Sequence, residues 1–599
     1  MSSARPPTGL HCELMSDPDK TVIENPRPRF GWVFEDCNQE QSQTAYRLRV
    51  WEEAEREASE TEGTHWDSGQ VRSARSIDVP YGGPALEENT SYSWRVRTWN
   101  SEGDVSEWSR AQRFRTGEFQ PTYTTPAYPL DREEVAPVDI AKKAEGHYFF
   151  DFGRAAFATV AFKTPSAGGD LKMRCHLGEK LASPRTIDRS PPGTVRYRCI
   201  PVSPGEAMEH CEVTIPPDER NTGPRTIAMP ERVGEVLPFR YCELEGCPPD
   251  FDPRSVRQVA VHYPFDDGAS EFSCSHELLN RIWDLCKHTI KATTFCGLYV
   301  DGDRERYPRE GDAYINQLGH YCVDREFTMG RRTHEFMMTH TSQWTEWILQ
   351  SVLMAWEDYM YTGDARSAER YYEGLKAKTL VDLGREDGLI STRTGLVSEE
   401  LRKRIHYSEG EHVRGEKLVD IVDWPPAGFQ EDEPGERDGY EFTDINTVVN
   451  AFHYRASVLM SRLADVTGHA ADARLFRGRA ARVRRAINRR LFDPAAGRYV
   501  DGEGSNHASL HANLFPLAFG LVPADRRDGV MNHIKSRGMK CSVYGAQHLL
   551  DGLYRVGEAQ YALELLTATH DRSWGHMVEE GATMTWEAWD WKYKNNLDW

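Results

Sequence analysis

Long hydrophobic runs are missing from this sequence. No apolar stretch reaches the roughly 18 residues that a membrane-spanning helix needs, so a membrane protein is not predicted. The first residues, MSSARPPTGLHCEL, also lack the apolar core that follows a basic start in a secretory signal. We therefore expect a cytoplasmic protein. An export signal upstream of residue 1 would make it periplasmic or secreted instead.

Metal and nucleotide motifs are absent as well. The 12 cysteines are scattered without a CxxC pair, and only Cys242 and Cys247 lie close together, which disfavours a zinc site and is weak evidence for reduced thiols. There is no P-loop and no Gly-x-Ser-x-Gly motif. His334 and Glu335 are followed by the next histidine at His340, which is the wrong spacing for a helical zinc pair. We predict no cofactor and no metal, with calcium on loop carboxylates left open.

The sequence has few positive charges relative to its negative ones. It contains 73 basic and 93 acidic residues, which gives a net charge of −20. This balance disfavours nucleic acids and anionic membranes as partners. Neutral ligands such as carbohydrates fit better. The 16 tryptophans and 25 tyrosines offer stacking surfaces for sugars, although most of them are expected in the core. The oligomeric state is not predicted.

The 599 residues suggest about three domains. Apolar residues alternate in Thr44–Trp51 and again in Tyr92–Trp99, as in half-buried strands. Residues 1–118 are therefore predicted to form a β-sandwich, and this segment resembles a fibronectin type III module. Residues 119–264 are rich in proline and glycine and carry short alternating runs such as Tyr148–Phe152, which favour a second β-sandwich.

The hydrophobic period changes to that of a helix beyond Ser273, with Ser275 as the expected N-cap of the first helix. Further apolar stripes start at Trp344, Val448 and Phe476. About ten helices without intervening strands imply a bundle, a solenoid or a closed toroid of helical hairpins. Because no repeat of fixed period is visible, we predict an α/α toroid over residues 265–599.

Five carboxylates and three guanidinium groups lie within Val300–Asp312, directly after the first predicted helix. Glu305 stands between Arg304 and Arg306, and Pro308 prevents easy continuation of a helix. Neighbouring like charge and burial would raise the pKa of a general acid here, whereas the arginines would lower it. A salt-bridged structural loop is the alternative interpretation.

A second acidic and aromatic segment is Glu580–Asp590, in which Trp586 and Trp589 bracket Glu587. Tryptophan faces pack against the apolar side of a pyranose, and a carboxylate between them can activate a water. The alternative is a helix start with core tryptophans and a solvated glutamate. Asp423–Trp424 is a similar but weaker case. Two such acidic segments predict a glycoside hydrolase with paired carboxylates.

These motifs resemble those of the bacterial α-L-rhamnosidases, glycoside hydrolase family 78. The run Arg304-Glu305-Arg306 followed by Asp312 is similar to the acidic loop of that family. Gln343–Trp347 and the signature Gly-Ala-Thr-x-x-Trp-Glu-x-Trp-Asp at Gly581–Asp590 are similar too, and the resemblance covers nearly the whole chain. It implies a multidomain β + α protein with N-terminal β-sandwich modules followed by an (α/α)6 six-hairpin barrel.

The resemblance further implies an inverting hydrolase of terminal α-L-rhamnosides, in which Glu305 is the general acid and Glu587 the general base. Glu580 is the fallback for the base. The leading aspartate of the family loop matches Asp301 or Asp303, and we favour Asp301. Motifs and resemblance together assign substrate binding to Asp301, Arg304, Arg306, Asp312, Trp424, Trp586 and Trp589.

Two departures from the family pattern modify these expectations. Arg309 replaces a tryptophan of the family loop, which would favour acidic substrates such as uronate-bearing oligosaccharides. Family members usually continue past Trp599 through a histidine-containing segment, a last helix and a C-terminal β-sandwich, so the barrel is expected to be incomplete at its end. The competing hypotheses are a toroid enzyme that acts on uronic-acid sugars and an inactive carbohydrate-binding remnant.

Overall fold

A computed structural model describes most of the chain. The described residues are 4–38, 40–53, 65–165, 172–203, 209–223, 226–300, 302, 306–393, 395–407, 417–426 and 435–593. The predicted site residues Asp301, Arg304 and Glu305, together with Asp303, lie outside them. Within this part of the chain no helix is both long and apolar enough to cross a membrane.

The first domain is a sandwich of two antiparallel sheets. Its strands are β1 (Ala4–Cys12), β2 (Arg29–Asp36), β3 (Ala45–Glu52), β4 (Trp66–Asp67), β5 (Val71–Arg72), β6 (Val79–Pro80), β7 (Ser91–Trp99) and β8 (Gln112–Arg115). β1, β2 and β6 form one sheet, and β3, β4, β5, β7 and β8 form the other. Phe30 and Trp94 meet across the sheets with their ring centroids 4.4 Å apart. The alternation that predicted β3 and β7 reflects this shared core.

The second domain differs from the predicted sandwich because most of its strands belong to one sheet. Its strands are β9 (Asp131–Val135), β10 (Asp139–Ala144), β11 (His147–Lys163), β12 (Met173–Gly178), β13 (Leu181–Ser183), β14 (Thr186–Ile187), β15 (Tyr197–Val202), β16 (His210–Glu212), β17 (Leu237–Glu245) and β18 (Arg257–His262). Eight of them form one sheet, with only β13 and β14 paired apart. The 17-residue β11 changes register between Asp151 and Ala156, where Gly153 has a φ of 83°. This bend lets one curled sheet enclose the core.

The remainder is helical. The described helices are α1 (Glu277–Thr293), α2 (Glu310–Val323), α3 (Thr328–Thr339), α4 (Thr345–Thr362), α5 (Arg366–Arg370), α6 (Tyr372–Lys378), α7 (Glu399–Arg404), α8 (Thr447–Val466), α9 (Ala470–Arg490), α10 (His511–Ala518), α11 (Arg527–Arg537), α12 (Val543–Arg555), α13 (Ala559–Leu566) and α14 (Trp574–Glu579). Two short strands, β19 (Phe492–Asp493) and β20 (Arg498–Tyr499), follow α9. Helices therefore occupy the region predicted as a toroid.

The inner ring of the barrel consists of α2, α4, α8, α10 and α12, which contact one another in this order. α12 also contacts α2, so the ring closes. α8 and α9 form an antiparallel hairpin joined by a turn at Thr467 and Gly468. The chain returns on the outside after each inner helix, so the N-terminal ends of the inner helices face the same end of the barrel. The positive ends of their dipoles converge there.

The expected N-cap of the first helix is corrected by the structure. α1 begins at Glu277 with His276 at the cap position, and Ser275 does not cap it. The Asn280 side chain instead accepts a hydrogen bond from the Cys274 backbone N–H at 2.9 Å and donates to the Cys274 carbonyl at 3.0 Å. This reciprocal pair sets the turn that enters the helix, so the serine hydroxyl is not needed as a cap.

Candidate active site

The structure joins the two motifs that carry Trp424 and Glu587. The indole Nε1 of Trp424 donates a hydrogen bond to Glu587 Oε1 at 3.0 Å, across 163 positions of sequence. Glu587 is buried, with 1% of its surface exposed. A buried carboxylate held by an indole N–H has a defined orientation, because the donor fixes one of its two oxygens.

Asp423 anchors the loop that presents Trp424. Its Oδ1 accepts the Trp424 backbone N–H at 3.0 Å, and its Oδ2 accepts the Ser542 backbone N–H at 2.9 Å. His511 Nε2 lies 2.6 Å from the same Oδ2. A Cβ at Gly545 would come within 2.9 Å of this oxygen, so glycine is required for the close approach. Asp423 thereby ties the loop to α10 and α12.

Glu346 supports the same loop from α4. Its Oε2 and Oε1 accept the backbone N–H groups of Ile421 and Val422 at 2.9 and 3.0 Å. Burial, and next the negative charge of Asp420, raise the pKa of Glu346 to about 8. A carboxyl with this pKa is largely protonated at neutral pH, where its oxygens still accept both hydrogen bonds. Glu346 is therefore a positioning residue for the Trp424 loop.

Glu346→Gln tests this role. The amide supplies one acceptor where two are needed and turns a donor towards a backbone N–H, so we expect the free energy of unfolding to fall by about 1–3 kcal/mol. The folded protein keeps the Glu346 proton up to about pH 8, whereas the unfolded chain loses it near the ordinary glutamate pKa. Stability of the unsubstituted protein should therefore decline as pH rises through this window, and the variant should lose that part of the slope.

Urea unfolding at several pH values measures both effects. Glu373→Gln on α6 is the control, because its side chain is largely exposed to solvent. An unchanged pH slope in Glu346→Gln would contradict the assignment.

A cavity lies on the axis of the ring beside Trp424. Its aromatic and apolar walls include Ile315, Trp347, Trp424, Phe452, Phe515 and Tyr544. Its polar lining consists of Glu346, Gln350, Asp423 and His548. Burial lowers the pKa of His548 to about 3, so the imidazole is neutral. A Cβ on Gly311 would lie 2.4 Å from the Trp347 ring, so glycine lets α2 approach that indole. Aromatic walls with a few polar groups are typical of a ligand pocket, and the volume of about 20 Å³ has room for roughly one water.

The described end of the first acidic loop is pinned to the second domain. Arg306 is fully buried, and its Nη2 lies 2.7 Å from Glu235 Oε2. Its carbonyl accepts the Ile227 backbone N–H at 2.8 Å, and its φ of 44° is unusual for a residue with a side chain. These contacts make Arg306 an anchor of the loop rather than an open sugar ligand. Asp312 is buried in the first turn of α2.

The tryptophans beside Glu587 have other neighbours. Trp589 is fully buried and donates its indole N–H to the Cys541 carbonyl at 2.7 Å. Trp586 and Glu580 line a cleft of about 310 Å³ against the second domain, away from the axial cavity. Burial in the core therefore removes Trp589 from the expected sugar-facing wall, and Trp586 belongs to a different surface. Glu580 lines this cleft, whereas Glu587 is bonded to Trp424, a residue of the axial cavity.

One side-chain cluster in the described part of the chain has the geometry of a metal site: His147, Glu243 and Glu245 in the second domain. Its carboxylates already have cationic partners, since Lys143 Nζ lies 3.2 Å from Glu243 and Arg189 Nη2 lies 2.7 Å from Glu245. The cluster is therefore an ion-pair network far from the axial cavity, and we assign it no metal.

The anchoring residues of the site were largely missed by the sequence analysis. Asp423 was noted only as a weak candidate, and His511 and Ser542 were not considered. Ser542 could have been found, because its hydroxyl caps α12 by accepting backbone N–H groups, a role typical of serine before a helical stripe. His511 carries no comparable local pattern.

Two β domains ahead of a ring of helical hairpins, with a buried carboxylate and an aromatic wall at the helix N-terminal ends, define the class of α/α barrels with N-terminal β modules. Residues 267–598 match the family described as bacterial alpha-L-rhamnosidase 6 hairpin glycosidase domain. Residues 7–120 match the Rha78A-like N-terminal immunoglobulin domain. The chain belongs to the bacterial α-L-rhamnosidase six-hairpin glycosidase family, and the predicted family and fold class are confirmed.

Curated relatives share parts of this sequence. An alpha-L-rhamnosidase of Streptomyces avermitilis is 38% identical over 95 residues, which are 16% of this chain and 9% of the relative. An alpha-L-rhamnosidase of Alteromonas sp. (strain LOR) is 23% identical over 256 residues, which are 41% of this chain and 24% of the relative. The matched segments thus span about a tenth to a quarter of these curated relatives.

Solved structures agree on the fold. The alpha-L-rhamnosidase from Dictyoglumus thermophilum superimposes with a TM-score of 0.74 at 15% identity, covering 98% of this chain and 85% of that one. The Streptomyces avermitilis alpha-L-rhamnosidase complexed with L-rhamnose gives a TM-score of 0.73 at 13% identity, covering 99% and 88%. At these identities the likeness establishes the architecture alone.

Proposed function

We propose that this protein hydrolyses terminal α-L-rhamnosides of oligosaccharides or glycosides with inversion at the anomeric carbon. The observation that carries the proposal is the hydrogen bond from Trp424 to the buried Glu587 at the end of the ring where the helix N-termini converge. Family membership and the names of the relatives support the choice of sugar. The rhamnose-bound relative supports a carbohydrate as the partner.

The proposed mechanism uses two carboxyl groups. Glu305, assigned by resemblance, protonates the glycosidic oxygen as the bond to the anomeric carbon breaks. Glu587 removes a proton from a water that attacks the same carbon from the opposite face. Inverting enzymes hold these groups about 6.5–9.5 Å apart to admit that water. The Trp424 N–H binds one Glu587 oxygen and so helps to orient the carboxylate.

Substrate binding in this proposal combines the acidic loop with the aromatic wall. Asp301, Arg304 and Asp312 are proposed to bind the sugar hydroxyls. Trp347 and Trp424 provide apolar surface for the C–H face of the ring. Asp423, Glu346 and Arg306 act indirectly, because they fix the two loops that carry these groups.

Proton NMR of the purified chain with an aryl α-L-rhamnoside tests the proposal. We expect β-rhamnose to appear first and to mutarotate afterwards, which establishes substrate and inversion together. Initial α-rhamnose would contradict inversion. Cleavage of uronides only would replace rhamnose by a uronic acid, and sugar-induced tryptophan fluorescence without turnover would indicate a binding protein.

Trp424→Phe tests the hydrogen bond itself. Phenylalanine keeps an aromatic wall but removes the N–H donor, and a hydrogen bond to a charged group contributes about 1.5–3 kcal/mol. We therefore expect kcat for an aryl α-L-rhamnoside to fall about 10- to 100-fold, with a smaller change in KM. Trp344→Phe is the matched control, since Trp344 lies outside the lining of the axial cavity. A selective rise in KM would instead assign Trp424 to substrate stacking alone.

A further inference from the structure

A strongly basic groove lies on the outside of the barrel of this acidic protein. It has a volume of about 1140 Å³ and runs along the C-terminal half of α9. Six arginines line it: Arg385, Arg482, Arg485, Arg489, Arg490 and Arg526. Glu386 and Asp387 are the acidic residues of its lining. The chain as a whole has a net charge of −20, whereas arginines outnumber carboxylates in the lining of this groove.

Three of these arginines are held by the protein. Arg385 Nη1 lies 2.8 Å from Glu503, and Arg490 Nε lies 2.8 Å from Asp387. Arg526 donates to the Asn488 carbonyl at 2.7 Å and stacks on the Phe492 ring at 4.2 Å. These three arginines therefore have structural partners within the protein, and no ligand is needed to account for them.

Arg482, Arg485 and Arg489 are different. They occupy positions i, i+3 and i+7 of α9, so they share one face over about 10 Å of helix. All three are exposed, and within the described residues none of their guanidinium groups has a carboxylate in ion-pair distance. Like charges at this spacing destabilise a helix. The helix dipole favours cations in the last turn, which leaves Arg482 and Arg485 unexplained.

The groove lies at the same end of the barrel as the axial cavity. α9 runs antiparallel to α8, so its C-terminal end adjoins the start of α8. Asn450 in α8 accepts the Ile390 backbone N–H at 2.8 Å, which fixes the loop that follows Arg385. The N-cap Asn446 donates to Asp420 at 2.8 Å, and Asp420 begins the segment that ends at Trp424. The groove is therefore on the rim around the candidate active site.

We propose that this groove binds the anionic part of a polysaccharide substrate, through uronate carboxylates or sulfate esters, while the terminal sugar is bound at the candidate active site. Guanidinium forks pair with such oxyanions in bidentate geometry. The lining residues include no aromatic side chain on which bases could stack, which favours a glycan over a nucleic acid. This assignment rests on the proposed function and narrows its substrate to anionic rhamnose-containing glycans. It also refines the expectation that a net charge of −20 disfavours anionic partners, because a local cluster of cations can attract an anion to a protein that is acidic as a whole.

The test uses the full chain with Arg482→Gln, Arg485→Gln and Arg489→Gln combined. The control combines Arg474→Gln, Arg477→Gln and Arg484→Gln, which remove the same charge from α9 outside the groove lining. The probes are polygalacturonate, dextran sulfate, neutral dextran and duplex DNA, with binding followed by affinity electrophoresis at low and at physiological salt. Hydrolysis of a neutral aryl α-L-rhamnoside is measured in parallel.

We expect the groove variant to bind polygalacturonate and dextran sulfate at least about tenfold more weakly, with a smaller salt dependence, while the control variant binds as the unsubstituted protein does. Hydrolysis of the neutral aryl rhamnoside should stay unchanged in both. Equal binding by the groove variant and the unsubstituted protein would overturn the proposal. So would DNA binding as tight as polygalacturonate binding.

This design distinguishes a failure of the proposed function from a failure of the groove proposal. If the unsubstituted chain cleaves no rhamnoside, the proposed function is contradicted, and the assignment of a substrate to the groove falls with it. If it cleaves neutral rhamnosides but no polyanion binds, the groove proposal alone is overturned.

Discussion

Glu587→Gln is expected to reduce kcat by about 10²–10⁴-fold, the usual contribution of a general base. The loss should be similar for activated aryl rhamnosides and for natural glycosides, because activation of the water is required in both. The amide carbonyl can still accept the hydrogen bond from Trp424, so the local structure and the stability should change little. Steady-state kinetics on both substrates, with thermal unfolding of each variant, measure the effect.

Glu580→Gln is the matched control, since Glu580 lies in the same sequence motif but lines the cleft against the second domain. It should keep most of the activity. A Glu587→Gln variant with near-normal turnover would transfer the role of base to another acid. A large loss in Glu580→Gln alone would select the fallback from the sequence analysis.

Glu305→Gln is expected to show a loss that depends on the leaving group. A missing general acid slows departure of a poor leaving group, such as a sugar, by about 10²–10⁴-fold. An activated aryl group leaves without protonation, so its hydrolysis should fall much less. The ratio of kcat/KM values for a rhamnosyl disaccharide and a nitrophenyl rhamnoside measures this difference and is insensitive to the fraction of folded enzyme.

Glu310→Gln provides the comparison within the same acidic segment. Glu310 is buried, accepts the Ser342 backbone N–H at 3.3 Å and lies 3.7 Å from Lys378, so its loss should disturb the loop as a whole. Both substrates should then slow by the same factor. Equal losses on both substrates in Glu305→Gln would count against its role as the acid.

Much of the architecture was accessible from local patterns. Alternation of apolar residues predicted β3 and β7, and the helical period predicted α4, α8 and α9 close to their observed bounds. These patterns are reliable because burial of one face repeats at the period of the element itself. The turn at Thr362–Asp364 also follows from sequence, since Gly363 takes the left-handed conformation that ends α4.

The second domain shows where this reasoning stops. Its strands are readable, but nothing in a local window distinguishes two separate sheets from one sheet that bends through β11. The bend depends on the register shift between Asp151 and Ala156, which is a property of the pairing with β17. Long-range packing determines which strands pair, so the arrangement of the sheet is not predictable from a local window of sequence.

The sequence by itself determined the family, the order of β and helical domains, and the two acidic segments in which catalytic carboxylates are proposed, because these depend on residue types and local periods. Only the tertiary structure decided which neighbours face the cavity. It turned Glu587 towards Trp424 while burying Trp589, two positions away, in the core. It also gathered arginines of α9 into a basic groove that a net charge of −20 conceals. The physical reason is that side-chain direction and local field are set by contacts between distant segments, which no single window of sequence contains.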